Sequence, residues 1–244
     1  MDQSKSFRSI PWARLSVEGA LIVVSILAAF SIDAWWATRS DKAQERILLV
    51  SLSADFAEAE QSLSGVKSRH IRLAHSGEKL ITYGESGDIP VGERDDIDHA
   101  VSNHFDRATY DPPMGTVDSI LGSGNINLLS NYQLIAELTR WSAVVAKLKR
   151  IELDARNHFY QRFYPYLASR LDLEDLDKGF AKYVDFPWEQ EPTDAYRLLA
   201  DQEFLNIVYM HWVLSINILG DIESVEESLG RIRKLIDVEL SESG

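Results

Sequence analysis

The most apolar stretch of the chain is residues 15–36, LSVEGALIVVSILAAFSIDAWW, within which residues 19–32 carry no charge. As a helix these residues would reach about 33 Å at ~1.5 Å per residue, which matches a hydrocarbon core about 30 Å thick. The downstream flank holds Asp33, Trp35, Trp36 and Arg39 instead of a small-residue cleavage site, and tryptophans beside charge suit a bilayer interface. The pattern predicts a membrane anchor over 15–38, a cytoplasmic head over 1–14 and a soluble domain over 39–244. Lys5, Arg8 and Arg14 before the anchor are balanced by Arg39, Lys42 and Arg46 after it. A short cationic head is poorly suited to export, whereas a long C-terminal domain is readily translocated. The expectation is therefore a single-pass protein of the bacterial inner membrane with a periplasmic body.

Glu18 and Asp33 fall about one turn inside each end of the span, where a carboxylate costs less than the roughly 2.5–3.5 kcal/mol of the bilayer centre. There they either snorkel to headgroups or hydrogen-bond a neighbouring helix. With Trp35 and Trp36 they form the candidate set of interface and partner contacts.

Beyond Arg39 the period changes to alternating steps of three and four. Leu49, Leu52, Phe56, Ala59, Leu63, Val66, His70, Leu73, Gly77 and Leu80 make one helical seam, and a heptad run of this kind suits coiled-coil association. Leu49, Leu52, Phe56, Leu63 and Val66 are its candidate association residues, although the same seam can equally pack within its own bundle. No proline separates Trp12 from Pro90, so anchor and seam are expected to form one continuous helix, with Gly65 and Gly77 as weak points.

The segments GESGDIPVG (84–92) and DPPMG (111–115) read as loops, with a short polar helix over 93–105 between them and a brief one over 116–121 after. Ser130 or Asn131 can cap a long helix whose apolar side is Leu134, Leu138, Trp141, Val145 and Leu148, and Pro165 should end or kink it. Thr193 is a plausible cap for a short helix. A last long helix is expected over 202–240, with Ile222, Val225, Leu229, Ile232 and Ile236 in step. Its first part, 204–219, is apolar almost all round and reads as a fully buried core helix. No useful strand alternation occurs, so the fold class is all-α, an antiparallel helical bundle.

Composition narrows the chemistry. The chain has 244 residues, no cysteine and a formal charge of -13. A thiol nucleophile and a Cys-ligated metal are excluded, and polyphosphate partners such as nucleic acid are disfavoured. Residues 1–39 hold Lys5, Arg8, Arg14 and Arg39 against Asp2, Glu18 and Asp33, so the negative charge belongs to the body.

The anchor EGALIVVSILAAFSIDAWW, followed by a polar helix, and the stretch TVDSILGSGNINLL (116–129) leading into a helix together resemble an uncharacterised family of N-terminally anchored, single-span bacterial membrane proteins. Glu18, Asp33 and Trp35 sit where that family carries a glutamate, a polar pair and a tryptophan. Ser123, Gly124, Asn127 and Leu128 fit its Ser-Gly and Asn-Leu turn. The two stretches that carry the resemblance cover about a seventh of the chain, and it implies architecture and membrane location, not activity. Departures are Ser31-Ile32-Asp33, where relatives tend to have amides, and a longer head.

Six histidines invite a metal, but His70/His75 and His99/His104 are five apart, a spacing that does not place two ligands on one helical face. Asp95, Asp96 and His99 are better read as solvated, and His70 as a core histidine on the seam. Gly122-Ser123-Gly124 lacks the preceding strand of a phosphate loop and reads as a helix stop. No catalytic motif occurs, so neither an enzyme, a cofactor nor a metal site is expected. The aromatic residues Phe159, Phe163 and Tyr164, with Trp188, are the candidate pocket or partner surface. The expected function is a non-catalytic accessory or self-assembling subunit of a membrane complex, whose partners are the lipid bilayer and either itself or another membrane protein. The alternative is a periplasmic ligand-sensing bundle.

Overall fold

The computed structural model describes residues 12–87, 89, 91–122, 125–173 and 195–242. The described part is all-α, with no strand. Helix α1 (Trp12–Ser86) is followed by α2 (Arg94–Ser102), α3 (Gly115–Gly122), α4 (Tyr132–His158), a π-helical turn (Phe159–Phe163), α5 (Tyr164–Ala168) and α6 (Gln202–Glu242); short 3-10 turns lie at Val91–Glu93, Asn103–Phe105, Asn125–Leu128 and Ala195–Ala200. Chain contacts divide the protein into two units, Met1–Leu48 and Leu49–Gly244.

The second unit is a bundle of α1, α4 and α6. Its register can be read from side-chain pairs. Between α1 and α6, Glu60 meets Arg233 and Lys67 meets Glu226, the latter at 2.6 Å. Gly77 meets Trp212 and Gly84 meets Leu205. Ascending numbers on α1 pair with descending numbers on α6, so the two helices are antiparallel. Between α4 and α6, Asn131 bonds Glu239, Glu137 bonds Arg231, Lys147 bonds Asp221 and His158 bonds the Ile207 carbonyl, again antiparallel. These exposed ion pairs fix alignment more than stability, being worth about 0–1 kcal/mol each.

Every seam position on α1 from Leu49 to Leu80 is buried, as are the five predicted apolar positions of α4 and the five of α6. The sequence period thus identified the buried faces. The seam, however, packs inside its own bundle: Phe56 sits 5.1 Å from Trp141 between ring centroids, and Tyr110 donates its hydroxyl to the Ala59 carbonyl. Leu49, Leu52, Phe56, Leu63 and Val66 are 1%, 0%, 2%, 2% and 8% exposed, so the side chains expected to mediate association are consumed by the chain's own core.

Asn131 is the cap of α4: its side-chain oxygen accepts the N–H groups of Gln133 and Leu134 at 2.8 and 3.1 Å. Asp201 starts α6 in the same way, accepting the Glu203 N–H at 2.8 Å while its other oxygen takes the Tyr166 hydroxyl at 2.6 Å. The expected cap Thr193 lies outside the described residues. Helix α6 differs from expectation over 204–219: only one face is buried, through Phe204, Ile207, Val208, His211, Ser215 and Ile218, while Tyr209, Met210 and Ile216 are exposed. The break near Pro165 takes the form of the π turn, with Pro165 in the first turn of α5, where its missing N–H costs no helical bond.

Candidate functional site

Two places combine residue types that imply a role. The first is the apolar part of α1. Two described helices are long and apolar enough to cross a membrane, α1 with a window of mean hydropathy 1.9 and α6 with one of 1.3. They differ in burial: none of the α1 window is covered, against 33% of that in α6. The hydroxyls within and beside the α1 window are satisfied by their own helix. Ser25 donates to the Leu21 carbonyl, Ser31 to Leu27 and Thr38 to Ala34, at 2.8–2.9 Å. This arrangement removes the cost of placing a hydroxyl in hydrocarbon. Glu18, Asp33, Trp35 and Trp36 are all exposed; Trp35 and Trp36 lie 6.2 Å apart, and the Arg39 guanidinium sits 5.8 Å over the Trp35 ring.

The second place is inside the bundle, and histidine spacing along the sequence gave no sign of it. His104 after α2, His158 at the end of α4 and His211 of α6 come together beside the π turn, and His70 of α1 lines the same small cavity as His211. The His211 ring centroid is 5.1 Å from that of His104 and 5.8 Å from that of His158. His104 also stacks on Phe163 at 5.0 Å. Backbone carbonyls fix three tautomers, because a carbonyl can only accept. His70 donates from Nε2 to Ala108, His104 from Nδ1 to Ala100 and His158 from Nε2 to Ile207, at 3.1, 2.8 and 3.0 Å. The opposite nitrogens, His70 Nδ1 and His104 Nε2, are left buried without a partner among the described residues, and so is His211 Nδ1.

A cavity of about 30 Å³, on the scale of one or two water molecules, is lined by His70, His211, Glu152, Arg107 and Arg156. Burial holds the imidazoles below their ordinary value: His104 falls to about 4, and His211 is pushed well down by burial first and then by the neighbouring histidines. Burial raises the Glu152 carboxyl to about 7, against the opposing pull of the Tyr110 N–H that it accepts at 2.9 Å. Among the described residues no group of three or more His, Asp or Glu side chains is placed to hold a metal ion.

Of the predicted aromatic set, Phe159 and Phe163 are fully buried against this histidine cluster. Tyr164 is exposed, and Trp188 lies outside the described residues. Phe159 and Phe163 are therefore core rather than open pocket wall. Asp96 is taken by Lys79 at 2.7 Å, while Asp95 and His99 are exposed. Compared with known proteins, the chain matches no family model, no curated protein and no solved structure.

Proposed function

We propose that the chain is a single-pass protein of the bacterial inner membrane whose helical body, 39–244, lies in the periplasm and serves as a non-catalytic accessory or self-assembling subunit of a membrane complex. The observation that carries this reading is the α1 stretch 19–32: apolar, exposed among the described residues, with its hydroxyls closed onto their own helix. The resemblance to single-span bacterial proteins supports the same placement. With the seam spent in the core, association falls to the anchor, through Glu18, Asp33 and the Trp pair, and to exposed apolar side chains such as Tyr209, Met210 and Ile216 of α6.

The ligand-sensing alternative draws less support, because Phe159 and Phe163 leave no open wall. The test is gentle affinity purification from native membranes followed by mass spectrometry and size measurement in mild detergent. A co-purifying membrane protein or a defined oligomer is expected; a lone monomer overturns the assembly role, and release by alkaline carbonate overturns the anchor.

A further inference from the structure

His104, His158 and His211 lie at one end of the core, with His70 further along it, and the other end, built from 49–66, 134–148 and 222–236, contributes no histidine. We propose that the histidine core is a proton-operated latch: when His104 and His211 take up protons, the end of the bundle formed by α2, the π turn and the start of α6 opens, while the histidine-free end stays closed.

The geometry explains why a proton cannot be accommodated in the closed form. His104 already spends its one N–H on Ala100; a second, on Nε2, would appear beside the Phe163 and His211 rings, where that nitrogen has no partner among the described residues. An orphaned buried donor is costly, and a charged one more so. His211 stands between His104 and His158, with His70 close enough to be felt, so a charge on one disfavours a charge on the next. Around them are Asp106 and Arg107 of the connection after α2, Glu152 and Arg156 of α4 and Arg162 of the π turn. Asp106 is already approached by Arg69 and Arg72 of α1 at 3.7 and 3.6 Å. Glu152, which shares the cavity with His70 and His211, is itself protonated over the pH range in which the imidazoles charge, so it offers them no negative charge. The π turn is itself a departure from regular helix of the kind that concentrates at working sites.

The direction with pH follows from the two kinds of group. The closed form keeps His104 and His211 neutral where an exposed imidazole, ordinarily near 6.5, has already charged. Opening therefore takes up protons and grows as pH falls from about 6.5 toward 4; His104 contributes about twentyfold between pH 7 and 5, and His211 acts in the same direction. Glu152 acts oppositely: its closed form holds a proton up to about 7 that the open form releases above its ordinary 4.5, so it resists opening on acidification and sets a threshold.

Hydrogen–deuterium exchange of the full chain in detergent micelles, at pH 7 and 5 and corrected for intrinsic rates, reads this directly. Amides of 99–107, 156–168 and 204–212 are expected to open more at pH 5, while those of 134–147 and 222–236 hold. His211→Gln should abolish the increase, because Glu152 then outweighs the one remaining histidine, and Glu152→Gln, which leaves the histidines in place, should enlarge it. Equal loss of protection at both ends, or an increase indifferent to both substitutions, overturns the latch.

Discussion

At Glu152 the fold places a carboxyl inside the bundle with the Tyr110 N–H as its hydrogen-bond partner. In the unfolded chain this group ionises near 4.5, in the folded one near 7, so its ionisation opposes folding increasingly as pH rises between those values and fully above them. Glu152→Gln keeps an oxygen for Tyr110 and removes the charge. It should raise stability by about 1–3 kcal/mol at pH 8 and leave it unchanged at pH 4, read by thermal unfolding of the chain in detergent. Glycines give a second contrast. Gly65 has open space where a Cβ would go, so Gly65→Ala should stabilise α1 by about 0.5–1 kcal/mol. A Cβ on Gly84 would lie 2.3 and 2.7 Å from the two Leu205 methyls, so Gly84→Ala should cost about 1–2 kcal/mol unless that branch turns away. The same unfolding measurement separates them. Neither Gly84 nor the histidine cluster was legible in the sequence. His70, His104, His158 and His211 come from elements whose alignment is a tertiary fact, and reasoning from spacing tests ligands only within one helix.

Helix faces, by contrast, were legible. Alternating steps of three and four mark the side that leaves water whatever covers it, which is why the Leu49 to Leu80 seam could be read as a buried face while packing in its own bundle and association with another chain stayed equally open. Periodicity is blind to whether the covering helix belongs to the same chain or another. The break before Pro165 was legible from the missing N–H, but its form was not, since nothing local distinguishes a kink from the extra residue of a π turn. Asn131 joins both kinds of information. Its capping role is local and readable, whereas its Nδ2 bond to Glu239 at 2.7 Å ties the start of α4 to the end of α6. Asn131→Ala should cost about 1–2 kcal/mol by losing both. Asn131→Asp should keep the cap yet set a carboxylate against Glu239, leaving a deficit that salt reduces. Unfolding at low and high ionic strength distinguishes the two variants.

For the molecule as a whole, the proposed anchor has a narrow margin. Only residues 19–32 are free of charge, fewer than the ~20 apolar residues of an ordinary span. Glu18 and Asp33 already tax its ends, and the Trp pair with Arg39 helps to hold the interface. A span built this way cannot absorb a charge at its middle. Leu27 is 59% exposed and belongs to no buried core among the described residues, so on the proposed placement its replacement acts mainly through the transfer into lipid. Leu27→Arg adds about 3 kcal/mol to insertion, which corresponds to a loss of roughly a hundredfold in the inserted-to-uninserted ratio. Leu27→Ala, which keeps the segment apolar, should cost at most about 1 kcal/mol. Fractionation after alkaline carbonate should therefore find the arginine variant mostly released and the alanine variant mostly retained. Equal retention of both would mean that the body, not residues 19–32, holds the protein at the membrane, and attention would move to the exposed face of α6 with Tyr209, Met210 and Ile216.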